Sequence, residues 1–159
     1  GYMAFNKLKA LTLIVFTTFI LSEEDNMLGY WLTSASIVQV EECNGMLCAT
    51  IEHVFVEEGV DPKSVLDSNN KDASLRNRSL IGINLFTNFS YSEPYIKQLK
   101  NGRIYDPGRG KVFKSNLYML KNGNLKVEGC LLAICGHEEW QPLKVIINKD
   151  GTRSAELLD

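Results

Sequence analysis

Residues 102–113 read Gly102-Arg-Ile-Tyr-Asp-Pro-Gly-Arg-Gly-Lys-Val-Phe113, and this stretch decides the predicted fold. Two short extended runs meet here at a corner that contains one proline and two glycines. Proline fixes one backbone angle of a tight turn, and glycine accepts conformations that other residues avoid. The stretch therefore predicts two strands joined by a turn. The same order of strand, turn and strand recurs along most of the chain.

Alternating apolar and polar residues over Ser36–Cys43 have the period of a half-buried strand. The dipeptide Asn44-Gly45 predicts a two-residue turn into the next strand. Eight adjacent antiparallel strands predict an all-β, up-and-down barrel, whose interior is either filled by side chains or holds one small ligand. The predicted strands span about eight segments, at 28–33, 36–43, 46–56, 80–86, 103–105, 111–120, 125–132 and 140–147.

Two irregular stretches interrupt this pattern, at 57–78 and at 88–101. The first is polar and long for a compact domain, which indicates a functional loop or a helical turn. Aromatic residues concentrate around the second stretch. They could form a lid over an apolar cavity or fill the barrel, and the sequence leaves both open. These aromatic residues are Phe86, Phe89, Tyr91 and Tyr95.

The two ends of the chain differ from the part between them. Lys7 and Lys9 precede an uncharged apolar run at 10–21, which predicts a secretory signal or an N-terminal apolar helix over residues 1–22. The run is shorter than the about 20 apolar residues of a membrane span, so no stable span is expected after signal removal. The barrel domain is predicted at 27–147. Residues 148–159 lack strand alternation and are predicted to be a C-terminal tail.

Length and charge limit the possible functions. The chain has 159 residues, of which 45% are apolar, enough for a single domain with a real core. Its formal net charge is −2, and no stripe of Lys and Arg interleaved with aromatics is present. These features argue against a nucleic-acid partner.

The four cysteines form two pairs with equal spacing, Cys43 with Cys48 and Cys130 with Cys135. An even number of cysteines after a predicted signal favours disulfides in an oxidising compartment. Local bridges within each pair are the preferred prediction. Other connectivities, free thiols and a zinc site made of four thiolates stay open, although the flanking strand patterns argue against zinc.

Five motifs resemble those of a family of small secreted bacterial proteins of unknown function with a lipocalin-like barrel. They are Gly29-Tyr-Trp31, Cys43–Cys48, Leu75–Gly82, residues 102–113, and the segment from Leu125 through Cys135-Gly136 to Trp140. The resemblance is nearest to the secreted member from gastric ε-proteobacteria. It implies structural roles for Gly29, Trp31, Asp106, Gly110, Lys111 and Trp140. The family's closing arginine is absent after Trp140, and Arg76 or Arg78 could replace it.

Arg76 and Arg78 lie two residues apart, so in an extended chain their side chains point the same way. They could grip a carboxylate or phosphate, or one could pair with an acid and close the barrel end. Tyr105 could form a polar site with Asp106 and Lys111, or these residues could simply make the turn. The predicted ligand contacts are therefore Arg76, Arg78, Phe86, Phe89, Tyr91, Tyr95 and Tyr105.

No catalytic or metal-binding motif is recognisable. His53 and His137 lack the spacing of a zinc-hydrolase motif, and the glycines before Lys111 lack the strand–loop–helix context of a phosphate-binding loop. The sequence thus predicts a non-enzyme without cofactor or metal. The predicted function is a secreted or periplasmic carrier of a small apolar or amphipathic molecule, such as a fatty acid. The alternative is a protein-interaction module with a filled barrel, acting through loops 57–78 and 88–101.

Overall fold

The computed structural model describes residues 26–158, so the predicted signal or apolar helix at 1–22 lies outside the described residues. Two short 3₁₀ helices, Pro62–Ser64 and Ala73–Leu75, lie in the long loop, as its length indicated. No helix between residues 26 and 158 is long and apolar enough to cross a membrane. The strands of this part of the chain are β1 (Gly29–Leu32), β2 (Ser36–Cys43), β3 (Met46–Val54), β4 (Phe86–Thr87), β5 (Gln98–Asp106), β6 (Lys111–Met119), β7 (Leu125–Leu131), β8 (Ile134–Ile147) and β9 (Arg153–Leu157).

The strands form one antiparallel sheet in the order β3-β2-β1-β8-β7-β6-β5-β4. The sheet curls until β3 meets the segment around β4. There the Leu85 amide donates to the Ala49 carbonyl at 2.7 Å, and the Leu47 amide donates to the Phe89 carbonyl at 2.9 Å. These bonds give a nearly closed barrel of eight strands, because they join the two ends of the sheet. The predicted all-β antiparallel barrel is confirmed.

The strand predicted at 80–86 is wrong for most of its length, since only Phe86 of that stretch belongs to a strand. Asn84 explains the interruption. Its side-chain oxygen accepts hydrogen bonds from the amides of Ala49, at 2.8 Å, and Phe86, at 3.1 Å. A side chain therefore replaces a backbone partner in the ladder, and Gly82, with φ +96°, bends the chain just before it.

The C-terminal residues are not the irregular tail that the sequence predicted. Residues 153–157 form β9, which pairs with the end of β8 in the register Leu143↔Leu157 to Ile147↔Arg153. All five residues of β9 are exposed. The strand therefore buries neither face and carries no alternation that would reveal it. The first residues of β8 are mostly exposed as well. The strand begins at Ile134, six residues before the predicted start at 140.

One end of the barrel interior is filled with aromatic side chains. The Phe86 ring stacks on Trp140, with centroids 5.6 Å apart, and meets Phe89 edge to face at 5.2 Å. Gly102 leaves room for this cluster, because a Cβ there would lie 2.3 Å from the Phe89 ring. Trp31 is buried beside Met27 and donates its ring N–H to the Met27 carbonyl at 3.0 Å. This packing closes one end of the barrel.

Candidate functional site

The other end of the barrel opens into a cavity of about 970 Å³. Its walls are inward-facing apolar side chains of the strands, and its mouth is lined by polar side chains from the loops and from the first part of β8. Pockets with apolar walls and a few polar groups are typical of small-ligand sites. The apolar wall includes Ile51, Val54, Leu85, Ile104, Phe113, Val127 and Trp140, and the mouth includes Ser34, Ser68, Asn69, Arg109, His137 and Glu138.

A buried carboxylate fastens the long loop to the barrel beside this cavity. Asp67 is 1% exposed. It accepts hydrogen bonds from the Tyr105 hydroxyl at 2.5 Å and from the Asn70 amide group at 2.8 Å. Arg78 donates to it twice, from Nε and from Nη2, each at 3.0 Å. Both carboxylate oxygens of Asp67 therefore accept hydrogen bonds, which is what a buried carboxylate requires.

The surroundings fix the protonation of this cluster. Burial alone would raise the pKa of Asp67, but the hydrogen bonds from Asn70, Tyr105 and Arg78 outweigh it and hold that pKa below its ordinary value of 3.8. Burial and the neighbouring Asp67 carboxylate raise the pKa of Tyr105 to about 12. At neutral pH, Asp67 is ionised and Tyr105 keeps its proton. The cluster is thus a clamp between loop and barrel, and Arg78 takes the acid-pairing role that the sequence left open.

The corner at 106–110 packs directly on the same loop. The Asp106 carboxylate accepts from the Gly108 amide at 2.9 Å and pairs with Arg109 at 2.7 Å. Gly110 has φ +65°, and a Cβ there would lie 1.7 Å from the Asn69 carbonyl oxygen. The side chain of Asp106 pairs with Arg109 while Lys111 is exposed. Asp106 and Lys111 therefore belong to the turn, as in the second of the two alternatives, and do not form a polar site with Tyr105.

The predicted ligand contacts are scattered, and among them only Tyr105 lines the cavity. Phe86, Phe89 and Tyr91 are buried with the core, as in the alternative that has them fill the barrel. Tyr95 is 52% exposed. Arg76 is exposed and donates its Nε to the Asn70 carbonyl at 2.8 Å.

Sequence reasoning missed the apolar cavity wall. Phe113, Val127 and Gly129 lie at inward positions of β6 and β7, where they line the cavity. The period-two pattern of these strands marks such positions as inward. It does not say whether an inward residue meets a partner or faces empty space.

The two cysteine pairs differ in whether they form a disulfide. Cys130 and Cys135 are directly opposite in the β7–β8 register and form a disulfide. The predicted bridge between Cys43 and Cys48 is wrong, because both are free thiols. Cys43 faces Met46 and Cys48 faces Glu41, so the two thiols are diagonal neighbours. Burial and a hydrogen bond with Cys43 raise the pKa of Cys48 to about 12.

Alkylation of the unfolded, unreduced protein with iodoacetamide is expected to label two of the four cysteines, because only the 130–135 pair is bridged. Intact mass followed by peptide mapping should place both labels in the peptide that carries Cys43 and Cys48. Prior reduction is the control and should give four labels. Labelling of no cysteine, or of all four before reduction, would contradict this assignment.

Metal ligation has little support in the described part of the chain. The one cluster of three possible ligands there contains Glu128, Cys130 and Cys135. The two sulfurs of this cluster are bonded to each other, so neither is a thiolate that could bind a metal. His53 lies edge to face against Phe55, and His137 lies at the cavity mouth.

Comparison with known proteins identifies a family for this chain. The family described as "Uncharacterized protein conserved in bacteria (DUF2147)" matches residues 29–142. A solved structure, "Protein HP1028 from the human pathogen Helicobacter pylori belongs to the lipocalin family", superposes with a TM-score of 0.61. The two sequences are 22% identical, and the match covers 74% of this chain and 82% of that chain. A search of curated proteins found no match.

The Helicobacter pylori structure shares the barrel fold described above. The family match covers β1 to β7 and most of β8, including the cavity walls and the clamp around Asp67. The resemblance inferred from the sequence motifs is confirmed. This chain belongs to the DUF2147 family of bacterial proteins and has a lipocalin-like barrel.

Proposed function

We propose that this protein binds one small apolar or amphipathic molecule in the open end of its barrel. The observation that carries the proposal is the cavity of about 970 Å³ with apolar strand walls. Its size is at the upper end of the range for small-ligand pockets, roughly 300–1,000 Å³. The lipocalin-like fold supports the same function, since barrels of this size commonly hold one small ligand.

The distribution of polar groups favours an amphipathic ligand. Arg109, His137 and Glu138 all lie at the mouth, whereas the deeper wall is made of apolar side chains and Trp140. A molecule with an alkyl or ring portion and one polar head could bury the first and leave the second among these groups. A fatty acid is one molecule of this class.

The compartment we propose is extracytoplasmic, either secreted or periplasmic. The disulfide between Cys130 and Cys135 suits an oxidising environment. The secretory signal predicted at 1–22 points the same way. The role we propose is binding rather than catalysis, because Asp67 and Tyr105, the hydrogen-bonded acid and hydroxyl beside the cavity, are both engaged in the clamp. The open cavity also favours a carrier over an interaction module with a filled barrel.

Filling the cavity from its wall tests the proposal directly. Gly129 lines the cavity, and the nearest atoms to a Cβ there would be in Phe113, at 3.6 Å, and Ile104, at 3.9 Å, which are ordinary van der Waals distances. Gly129→Leu should therefore fold and project its side chain into the space that a ligand would occupy. We expect it to weaken binding of the probe N-phenyl-1-naphthylamine by about tenfold or more, equal to about 1.4 kcal/mol. Fluorescence titration measures the affinity.

Lys114→Leu is the matched control, because Lys114 is an exposed residue of the neighbouring strand and does not line the cavity. It adds the same apolar side chain outside the cavity and should leave the titration unchanged. Circular dichroism checks that both variants fold. A folded Gly129→Leu protein that binds the probe like the unaltered protein would contradict the proposed site.

A further inference from the structure

The tip of the β7–β8 hairpin exposes four consecutive apolar residues, Leu131-Leu-Ala-Ile134. The exposed fractions are 57% for Leu131, 95% for Leu132 and 81% for Ile134. Leu131 and Ile134 also line the mouth of the cavity, together with the partly exposed Leu66 of the long loop. The exposed apolar surface of the tip is therefore continuous with the entrance to the barrel.

Nothing in the fold explains a leucine at position 132. Its φ is +56°, in the left-handed region that glycine and asparagine occupy far more easily than leucine. Its side chain is almost fully exposed, so burial does not offset this conformational cost. A non-glycine residue held in a sparsely populated conformation suggests a role outside packing.

The tip is held in a fixed shape. The disulfide between Cys130 and Cys135 closes it at its base, directly below the paired Leu131 and Ile134. A surface that is already ordered loses little conformational entropy on docking. The hairpin thus presents its apolar side chains as a rigid projection.

We propose that this tip docks the mouth of the barrel onto a lipid bilayer. The four residues of this hairpin tip cannot by themselves supply the about 800 Å² per partner that a stable protein interface buries. A bilayer needs no complementary shape, and transfer of leucine and isoleucine into it is favourable. The chain's net charge is −2, so apolar insertion and not attraction to anionic lipid is expected to drive docking.

Docking would place the cavity mouth against the acyl chains, because two residues of the tip line that mouth. An apolar ligand could then pass between bilayer and barrel without crossing water. This consequence rests on the proposed binding function. Docking itself rests only on the tip, so the two can fail separately.

A tryptophan placed at the tip reports insertion. The chain has only Trp31 and Trp140, which are 2% and 3% exposed and thus shielded from a lipid-borne quencher. Leu132→Trp adds one exposed indole. With vesicles of brominated phosphatidylcholine, we expect its emission to shift to the blue and fall by about half. Ile147→Trp is the matched control, because Ile147 is 67% exposed at the opposite end of β8, and its emission should not change.

Leu132→Asn separates docking from ligand binding. Asparagine accepts a positive φ, so this variant should fold at least as stably as the unaltered chain. Leu132 does not line the cavity. We expect partitioning into phosphatidylcholine vesicles, measured by co-sedimentation of the full chain, to weaken at least fivefold. Binding of N-phenyl-1-naphthylamine in solution should stay the same.

All variants keep residues 1–25, so any contribution of the apolar run at 10–21 to vesicle binding is common to them. Equal quenching at positions 132 and 147, no quenching at 132, or unchanged partitioning of Leu132→Asn would each overturn the docking proposal. Self-association that is lost in Leu132→Asn, with no quenching at 132, would overturn it in favour of a second copy of the chain.

Discussion

Replacing Gly110 with alanine is expected to destabilise the folded protein by roughly 4 kcal/mol, because two costs fall on one residue. The new Cβ would lie 1.7 Å from the backbone oxygen of Asn69, and the residue would have to keep φ +65°. Backbone atoms cannot rotate away as a side chain can, so the corner and the loop at 67–70 must separate. Urea unfolding followed by circular dichroism measures the loss.

Gly108→Ala is the control for this experiment. Gly108 lies in the same corner, but its Cβ would approach only Asp106 Oδ1, at 3.2 Å, and its φ is not in the left-handed region. We expect its free energy of unfolding to stay within about 1 kcal/mol of the unaltered protein. Similar stabilities for the two variants would show that the corner does not pack against Asn69.

Asp67→Ala is expected to cost about 3 kcal/mol, because it removes a buried carboxylate that accepts hydrogen bonds from three side chains. Tyr105, Asn70 and Arg78 would all lose their acceptor. For a domain of this size the thermal midpoint should fall by roughly 6–12 °C. Tyr105→Phe removes one of these hydrogen bonds and should cost about 1 kcal/mol. Differential scanning calorimetry distinguishes the two, and a loss in Asp67→Ala no larger than in Tyr105→Phe would contradict the clamp.

The pH dependence gives a second measure of the same clamp. The pKa of Asp67 is lower in the folded protein than its ordinary value of 3.8. Its contribution is therefore complete above pH 3.8 and is lost as the pH falls through the folded-state pKa. The stability difference between the unaltered protein and Asp67→Ala should be constant near neutral pH and shrink below about pH 3.8. A difference that grows on acidification would show the opposite shift.

The barrel was predictable from the sequence wherever one face of a strand is buried. The strand at Ser36–Cys43 and the turn at Asn44-Gly45 were predicted, since alternation and turn chemistry agree there. β9 was not predicted, because all its residues are exposed. The break at Asn84 was not predicted either, because its side-chain bond to Ala49 joins residues 35 positions apart, which no local pattern records.

The position of each cysteine relative to the hairpin turn decides whether a disulfide can form. Both pairs are separated by four residues and both flank a two-residue turn. Cys130 and Cys135 are symmetric about the turn at Leu132-Ala133 and so face each other. Cys43 directly precedes its turn, whereas Met46 and Leu47 separate Cys48 from it, so Cys43 and Cys48 do not face each other. The second turn lacks glycine, asparagine and proline, so its centre could not be located from sequence.

The candidate site was only partly predictable. Tyr105 was identified from its motif, but the cavity wall was not, because filled and hollow parts of the barrel share one alternating pattern. The difference depends on the Phe86–Trp140 stack, which joins residues 54 positions apart (140 − 86). Contacts of this kind arise only when the sheet closes.

The stack of Phe86 on Trp140 fills one end of the barrel, so the proposed ligand would enter and leave through the open end alone. A second molecule would then bind only after the first has dissociated. Trp140 would also limit the depth available to an alkyl chain, so that chains up to this limit would be sheltered and longer ones would project into solvent. Under the proposed function, one pair of rings would thus set both the sequence of exchange and the longest chain that fits.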